Sequence, residues 1–111
     1  DRIKDIVIRG GENIACLEIE AAIYEHPSVR EASVFGVPDE RLGEKLATRI
    51  SLNPGAELSE EDLSSFLAAK IAKFKIPEYT WFQAEELPKV AAGKIAKKQM
   101  REDAIKELGL D

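Results

Sequence analysis

Alternating apolar and polar positions indicate four β-strands along the chain. The first strand is rich in β-branched residues and ends in Arg9, Gly10 and Gly11, a double glycine that indicates a hairpin turn before Asn13 and Ile14. The second and third strands flank the turn-rich segment PDERLG, so we expect them to form an antiparallel pair. The four predicted strands cover residues 3–8, 29–37, 44–52 and 79–82.

Apolar residues spaced three and four positions apart indicate helices in three further segments. His26-Pro27 ends the first helix, because proline disfavours helical backbone in the residue before it. Ser59, followed by Glu61 and Asp62, resembles the capped start of the second helix. The predicted helices cover residues 17–25, 59–71 and 95–108.

With the short hairpin arm at Asn13 and Ile14 counted as a further strand, the order of these elements is strand, strand, helix, strand, strand, helix, strand, helix. It predicts an α+β fold in which a small, largely antiparallel central sheet is flanked by about three helices. An N-terminal β-hairpin precedes that sheet. With 111 residues, the chain fits one domain, residues 1–111.

Composition and charge narrow the classes of function. The chain carries 16 Lys and Arg against 21 Asp and Glu, and its net charge of −5 argues against sequence-independent nucleic-acid binding. No apolar run approaches the roughly 18 residues of a membrane span. Cys16 is the single cysteine, which excludes an intrachain disulfide and a cysteine metal cluster. One cysteine fits a reducing compartment, so we expect a cytoplasmic protein.

Three side chains are candidates for chemistry. His26 lacks the further ligands of a metal site and Cys16 lacks a partner base, so we interpret both as structural and expect no metal site. Lys94 follows a loop of small residues, but Pro88 and Ile95 stand where a phosphate-binding P-loop needs glycine and a hydroxyl residue. Lys94 is then either a mobile point charge for phosphate or carboxylate, or a plain surface lysine.

Positive charge gathers in the last third of the chain. It indicates a basic surface that steers an anionic ligand, or simply a solvated helix face. The residues concerned are Lys70, Lys73, Lys75, Lys89, Lys94, Lys97, Lys98 and Arg101.

Two segments resemble motifs of one enzyme superfamily. Residues 1–20, DRIKDIVIRGGENIACLEIE, are similar to the motif that opens the C-terminal domain of adenylate-forming enzymes. Residues 87–98, LPKVAAGKIAKK, resemble the final motif of that superfamily, whose lysine is catalytic. The intervening HPSVREASVFGVPDERLGE is similar too, so the resemblance covers essentially the whole chain. GGEN with EIE most resembles fatty-acyl and aryl CoA ligases.

The resemblance implies the C-terminal mobile domain of an AMP-forming acyl-CoA ligase. Because the chain starts at Asp1 without a methionine, we expect a piece of a longer protein whose large N-terminal domain is this domain's partner. The implied substrates are ATP, CoA and a carboxylic acid, which we expect to be a fatty acid. Mg²⁺ is expected with ATP, held mainly by the missing domain.

In the first domain orientation, the resemblance implies roles for three residues. Lys94 matches the catalytic lysine, which reaches the carboxylate and the nucleotide phosphate during adenylate formation. Arg2 matches the position that contacts the nucleotide. Lys4 matches the hinge about which the domain rotates.

In the second orientation, the resemblance implies that the domain completes the CoA site. The residues that match the channel for the pantetheine arm are Gly10, Gly11 and Glu12. The residues that lie where relatives contact the CoA nucleotide are Arg41, Lys70, Ile76, Pro77 and Glu78.

The chain departs from the superfamily pattern in the final loop. Val90 and Ala92 replace the usual Thr and Ser, so two hydroxyls that fix the loop are absent and we expect Lys94 to be held less firmly.

Two alternatives for the function of the chain stay open at this point. One is a non-catalytic α+β binding module with a basic face, and the other is the C-terminal part of a carrier-protein-dependent adenylation domain.

Overall fold

The expected strands and helices are present in the structure, a computed structural model that describes residues 5–110. The elements are β1 (Ile6–Arg9), β2 (Glu12–Ala15), α1 (Cys16–Tyr24), β3 (Val29–Asp39), β4 (Gly43–Leu52), α2 (Glu60–Ala68), β5 (Tyr79–Gln83) and α3 (Lys97–Leu108). Single 3₁₀ turns lie at Lys73–Lys75 and Ala91–Gly93. The predicted α+β fold with an N-terminal hairpin is confirmed.

The N-terminal hairpin is formed by β1 and β2, with Arg9 paired to Glu12. Gly10 and Gly11 connect them with φ angles of +57° and +87°. Positive φ at both positions is the geometry of a tight two-residue hairpin turn, and glycine adopts it without steric cost. The turn itself therefore accounts for the double glycine.

The second sheet contains three strands in the order β3-β4-β5. β3 and β4 form the predicted antiparallel pair, joined by a tight turn. β5 pairs with β4 in parallel, an orientation that the sequence pattern did not specify. The orientation follows from the connection, because a crossover that contains a helix, here α2, joins parallel strands.

Each face of this sheet is covered by its own group of apolar side chains. On one face, Val34 and Leu46 pack with the hairpin, α1 and α2. On the other face, Phe35 and Ala47 pack with α3. Successive side chains of a strand point to opposite faces, so neighbouring residues contribute to different cores.

Helix α2 has the predicted start but ends earlier than expected. The Ser59 hydroxyl accepts a hydrogen bond from the Asp62 N–H at 3.0 Å, which confirms the predicted N-cap. The prediction placed the end of this helix at Ile71, whereas it ends at Ala68. The N–H groups of Lys70 and Ile71 both donate to the Leu67 carbonyl, at 2.8 and 2.9 Å, so the regular ladder stops there.

The cap gives a stability prediction. Ser59→Ala removes the acceptor for the Asp62 N–H and is expected to lower the free energy of unfolding by about 1 kcal/mol. Ser65→Ala is the matched control, because Ser65 is an exposed residue in the middle of the same helix, where alanine is the better helix former. Urea denaturation of the domain measures both changes. Equal effects of the two substitutions would show that the cap contributes nothing.

Candidate functional site

Lys94 lies in a loop between β5 and α3 whose two sides are joined by backbone hydrogen bonds. Lys89 and Ile95 form an isolated antiparallel bridge. The Val90 N–H donates to the Lys94 carbonyl at 2.8 Å, and the Ala96 N–H donates to the Pro88 carbonyl at 2.8 Å. The base of the loop is thus closed by the backbone, without the two hydroxyls that Val90 and Ala92 lack.

The tip of this loop has a strained backbone. Ala92 has φ +74° and Gly93 has φ +78°. For a residue other than glycine, this left-handed region costs about 1–2 kcal/mol. The two residues turn the chain sharply just before Lys94, whose side chain is exposed and has no hydrogen bond or ion pair within residues 5–110.

An ion pair anchors the first side of the loop to the sheet. Lys89 Nζ lies 2.7 Å from Glu31 Oε2 on β3, and Glu31 Oε1 accepts the Leu87 N–H at 2.8 Å. Burial alone raises the pKa of Glu31, but the hydrogen bonds from Lys89 and Leu87 outweigh it and lower that pKa below its ordinary value. Glu31 therefore stays ionised and holds the loop through both its oxygens.

A second ion cluster, formed by Asp5, Glu20 and Lys97, anchors the other side of the loop. Lys97 Nζ donates to Asp5 Oδ2 and, at 2.8 Å, to Glu20 Oε2. Burial lowers the pKa of Lys97, but the hydrogen bonds to the two carboxylates outweigh it, and the pKa is raised. The loop that presents Lys94 is therefore fixed at both ends by charged side chains.

The hairpin turn lies against the β3–β4 turn. The Gly10 N–H donates to the Leu42 carbonyl at 2.8 Å, which brings the hairpin tip next to Arg41. A Cβ atom on Gly11 would have no neighbour within 4 Å, so the outer side of the turn is open. Of the predicted CoA residues, Gly10 therefore contacts the turn that contains Arg41, through the next residue, Leu42.

Beside the hairpin lies an open groove of about 610 Å³. Arg9 forms its edge, with its guanidinium 2.8 Å from Glu78 Oε2, while Glu78 Oε1 accepts the Leu46 N–H at 3.1 Å. The groove thus includes three of the predicted CoA-nucleotide residues. Its lining residues are Arg9, Ser64, Lys73, Phe74, Ile76, Pro77 and Glu78.

Lys70, another predicted CoA contact, does not line the groove. Its ammonium lies 2.6 Å from Glu25 and 4.8 Å from the centre of the Phe66 ring. Lys73 lines the groove instead, and it was visible in the sequence only as one of several clustered lysines. Arg9 also lines the groove, and the sequence predicts only that it ends the first strand of the hairpin.

Two predicted site residues, Arg2 and Lys4, lie outside the described residues. His26 has the structural role expected of it: its Nδ1 accepts the Ser28 N–H at 3.1 Å, and its ring meets Phe66 edge-on at 4.8 Å. Cys16 is buried, and burial raises the pKa of its thiol to about 12. The thiol is therefore protonated at neutral pH, in agreement with the structural interpretation.

The part of the chain that the structure describes contains no group of three or more His, Cys, Asp or Glu residues that could hold a metal ion. Over the same residues, no helix has the length and apolar character needed to cross a membrane.

Comparison with known proteins places these features in a family. Residues 18–94 match the family model of the AMP-binding enzyme C-terminal domain. The mitochondrial medium-chain acyl-CoA ligase ACSF2 of Danio rerio is 45% identical over 98% of this chain, which spans 18% of that protein. The chain therefore spans about a fifth of the length of the curated relatives it matches.

Solved structures agree with this match. Apo MatB from Rhodopseudomonas palustris has a TM-score of 0.87 and 36% identity, over 96% of this chain and 21% of that one. The Mycobacterium tuberculosis fatty acyl CoA synthetase has a TM-score of 0.85 and 36% identity, again over 96% of this chain and 21% of that one.

The buried thiol gives a pH prediction. The folded pKa of Cys16 is about 12 and its ordinary value is 9.0, so above pH 9 the unfolded chain loses the thiol proton while the folded chain keeps it. Stability is therefore lost as pH rises from about 9 towards 12, by up to about 1.4 kcal/mol per pH unit. Cys16→Ala lacks this contribution.

Urea denaturation between pH 8 and pH 10.5 gives the free energy of unfolding of the wild type and of Cys16→Ala as a function of pH. The difference between the two slopes isolates the thiol, because the titration of lysines and tyrosines is common to both proteins. The same slope in both proteins would contradict a protonated, buried thiol.

Proposed function

We propose that residues 1–111 form the mobile C-terminal domain of an AMP-forming acyl-CoA synthetase, because this chain belongs to the AMP-binding enzyme C-terminal domain family. Lys94 then supplies the positive charge for adenylate formation. The observation that carries the proposal is a lysine with no partner among the described residues, presented on a loop fixed at both ends. Such a side chain is available to a substrate held by another domain.

In the first half-reaction, a carboxylate oxygen of the acid attacks the α-phosphorus of ATP. A new P–O bond forms, the bond from that phosphorus to the β-phosphate oxygen breaks, and pyrophosphate leaves. Negative charge builds up on the α-phosphate oxygens in the transition state. The Lys94 ammonium beside them offsets that charge and positions the carboxylate, without giving up its proton.

In the second half-reaction, the CoA sulfur attacks the carbonyl carbon of the acyl-adenylate. The C–S bond forms, the C–O bond to AMP breaks, and the thiol proton passes to solvent. We assign the pantetheine path to the turn formed by Gly10, Gly11 and Glu12. The open side of Gly11 supports this assignment, because a side chain there would narrow the path of a thin ligand along the backbone.

The groove beside the hairpin supports a contact with the nucleotide end of CoA. Its floor contains Phe74, Ile76 and Pro77, which offer an apolar surface to an adenine ring. Arg9 is already neutralised by Glu78, whereas the Lys73 side chain has no ion pair within the described part of the chain and is available to phosphate. Arg41 lies in the β3–β4 turn, which contacts the hairpin through the Leu42 carbonyl.

The remaining assignments follow the family relationship. Lys4 is proposed as the hinge and Arg2 as a nucleotide contact, and the large N-terminal domain of the same protein is the partner that binds ATP with Mg²⁺. We assign no step to Mg²⁺ on this domain.

We propose a fatty acid as the acid substrate, since relatives are named for medium-chain and fatty acyl groups. The cytoplasm is proposed as its location, although the Danio rerio relative is mitochondrial.

Lys94 is tested in the full-length protein by separating the half-reactions. Lys94→Ala is expected to slow adenylate formation about 10²- to 10³-fold, because a charge used in the transition state is lost. Thioester formation from supplied octanoyl-adenylate is expected to stay near the wild-type rate. Pyrophosphate release and octanoyl-CoA formation are measured separately, with octanoate as the acid.

Lys98→Ala is the control, since Lys98 is an exposed lysine on the first turn of α3. Equal losses in both half-reactions would contradict the role given to Lys94. Transfer of the acyl group to a phosphopantetheine carrier protein but not to CoA would support the carrier-dependent alternative. Absence of adenylate from every acid tried would support the binding module.

The CoA groove is tested by comparing two lysines. Lys73→Ala is expected to raise the KM for CoA about fivefold, equivalent to about 1 kcal/mol for an exposed charge pair, with the KM for ATP unchanged. Lys70→Ala is expected to have less effect, because Lys70 is engaged with Glu25. Steady-state kinetics with CoA as the varied substrate measure both. A larger effect at Lys70 would return the CoA contact to that residue.

A further inference from the structure

The ion cluster of Asp5, Glu20 and Lys97 joins distant parts of the fold. Asp5 directly precedes β1, Glu20 lies on α1 and Lys97 is the first residue of α3. Glu20 Oε2 also accepts the Val34 N–H of β3 at 2.8 Å, and the Asp5 carbonyl accepts the Cys16 N–H at 3.0 Å. The cluster therefore joins the segment before β1 to α1 and α3 directly, and to β3 through Glu20.

The cluster is sheltered enough for its hydrogen bonds to matter. The side chains of Asp5, Glu20 and Lys97 are 20%, 13% and 23% exposed. Partial burial weakens solvent screening, and hydrogen bonds between charged groups are stronger than those between neutral groups. Removing the ammonium would also remove the cation that contacts both the Asp5 and the Glu20 carboxylates.

The positions of Asp5 and Lys97 in the chain give the contact a specific consequence. Asp5 follows the proposed hinge residue, Lys4, while Lys97 follows the base of the Lys94 loop, where its N–H donates to the Ile95 carbonyl at 2.9 Å. The hairpin continues covalently from Asp5, so its placement relative to the hinge does not require Lys97. The Lys94 loop is some 90 residues further along the chain and has no such covalent link.

We propose that Lys97 is a positioning residue that ties the Lys94 loop to the hinge-side end of the domain through Asp5. This inference rests on the proposed function. A rotation about the hinge then carries Lys94 to one defined place at the nucleotide. Lys89 and Glu31 hold the other side of the loop to β3, so they support its shape but do not reach the hinge side.

The two half-reactions separate this role from a general contribution to stability. Lys94 acts in adenylate formation, while the hairpin acts in thioester formation. Lys97→Met in the full-length protein is therefore expected to slow octanoyl-adenylate formation about 10- to 100-fold, because small misplacements of a catalytic group have effects of this size. The rate of thioester formation from supplied octanoyl-adenylate is expected to stay near that of the wild type, because the hairpin follows Asp5 in the chain and does not depend on Lys97 for its position.

Three companion variants sharpen the test. Asp5→Asn removes the other partner of the contact without touching α3 and is expected to show the same selective loss. Lys97→Arg keeps the charge and is expected to recover most of the adenylation rate. Lys98→Met removes a neighbouring exposed lysine and is expected to match the wild type. All are assayed below the onset of thermal unfolding, which is recorded for each variant.

The deciding measurement is made in the Lys94→Ala background. If Lys97 acts through Lys94, adding Lys97→Met to Lys94→Ala should cause no further loss of adenylation. An additional loss, or equal losses in both half-reactions of the single variant, would overturn the inference while leaving the proposed function standing. A wild-type protein that forms no adenylate from acids of two to sixteen carbons would overturn the proposed function and this inference with it.

Discussion

The ladder between β3 and β4 is the longest strand pairing among the described residues, and apolar side chains leave it on both faces. A sheet of three strands cannot shelter two apolar faces by itself, so each face needs a cover. The hairpin, α1 and α2 cover one face, and α3 covers the other. The chain must therefore pass from β5 to the second face before α3 begins, and the Lys94 loop makes that passage.

This route of the loop between two packed elements gives it restraints that do not depend on hydroxyl groups at positions 90 and 92. Its first side begins at Leu87, which is buried in the second core, and its last side enters α3, whose Met100 is buried in the same core. Backbone hydrogen bonds close the base, and Lys89 and Lys97 tie the two sides to different elements. Packing and ion pairs thus restrain the loop, although Val90 and Ala92 carry no hydroxyl groups.

Local signals in the sequence were sufficient for much of the fold. Gly10-Gly11 marked a turn whose φ values only glycine adopts freely, and Ser59 marked a helix start, because both signals depend on a few adjacent residues. The parallel orientation of β5 was not predictable, since it depends on how the chain crosses the sheet. The pairing of Lys97 with Asp5 was equally inaccessible, because the two residues are 92 positions apart and no periodicity connects them.

The candidate site was predictable to a different extent. Spacing and composition left Lys94 as an ordinary loop lysine, and only the resemblance of whole motifs gave it a role. The structure adds what a motif does not contain: the bonds that close its loop, and the engagement of Lys70 with Glu25 while Lys73 remains beside the groove. Choosing between two lysines of similar sequence surroundings requires knowing which acids lie near them in space.

In the proposed rotation of the domain, the exposure of Lys94 has a physical advantage. An ammonium in water at 4 Å from a phosphate charge contributes only about 1 kcal/mol, whereas at an effective dielectric constant of 20 the same pair contributes about 4 kcal/mol. A lysine already paired within its own domain would have to break that pair each time it reached the nucleotide. An unpaired lysine on a rigid loop gains its effect only when a second domain excludes water around it. Under the proposed mechanism, moving the domain as one body brings the charge to the reaction and withdraws it again.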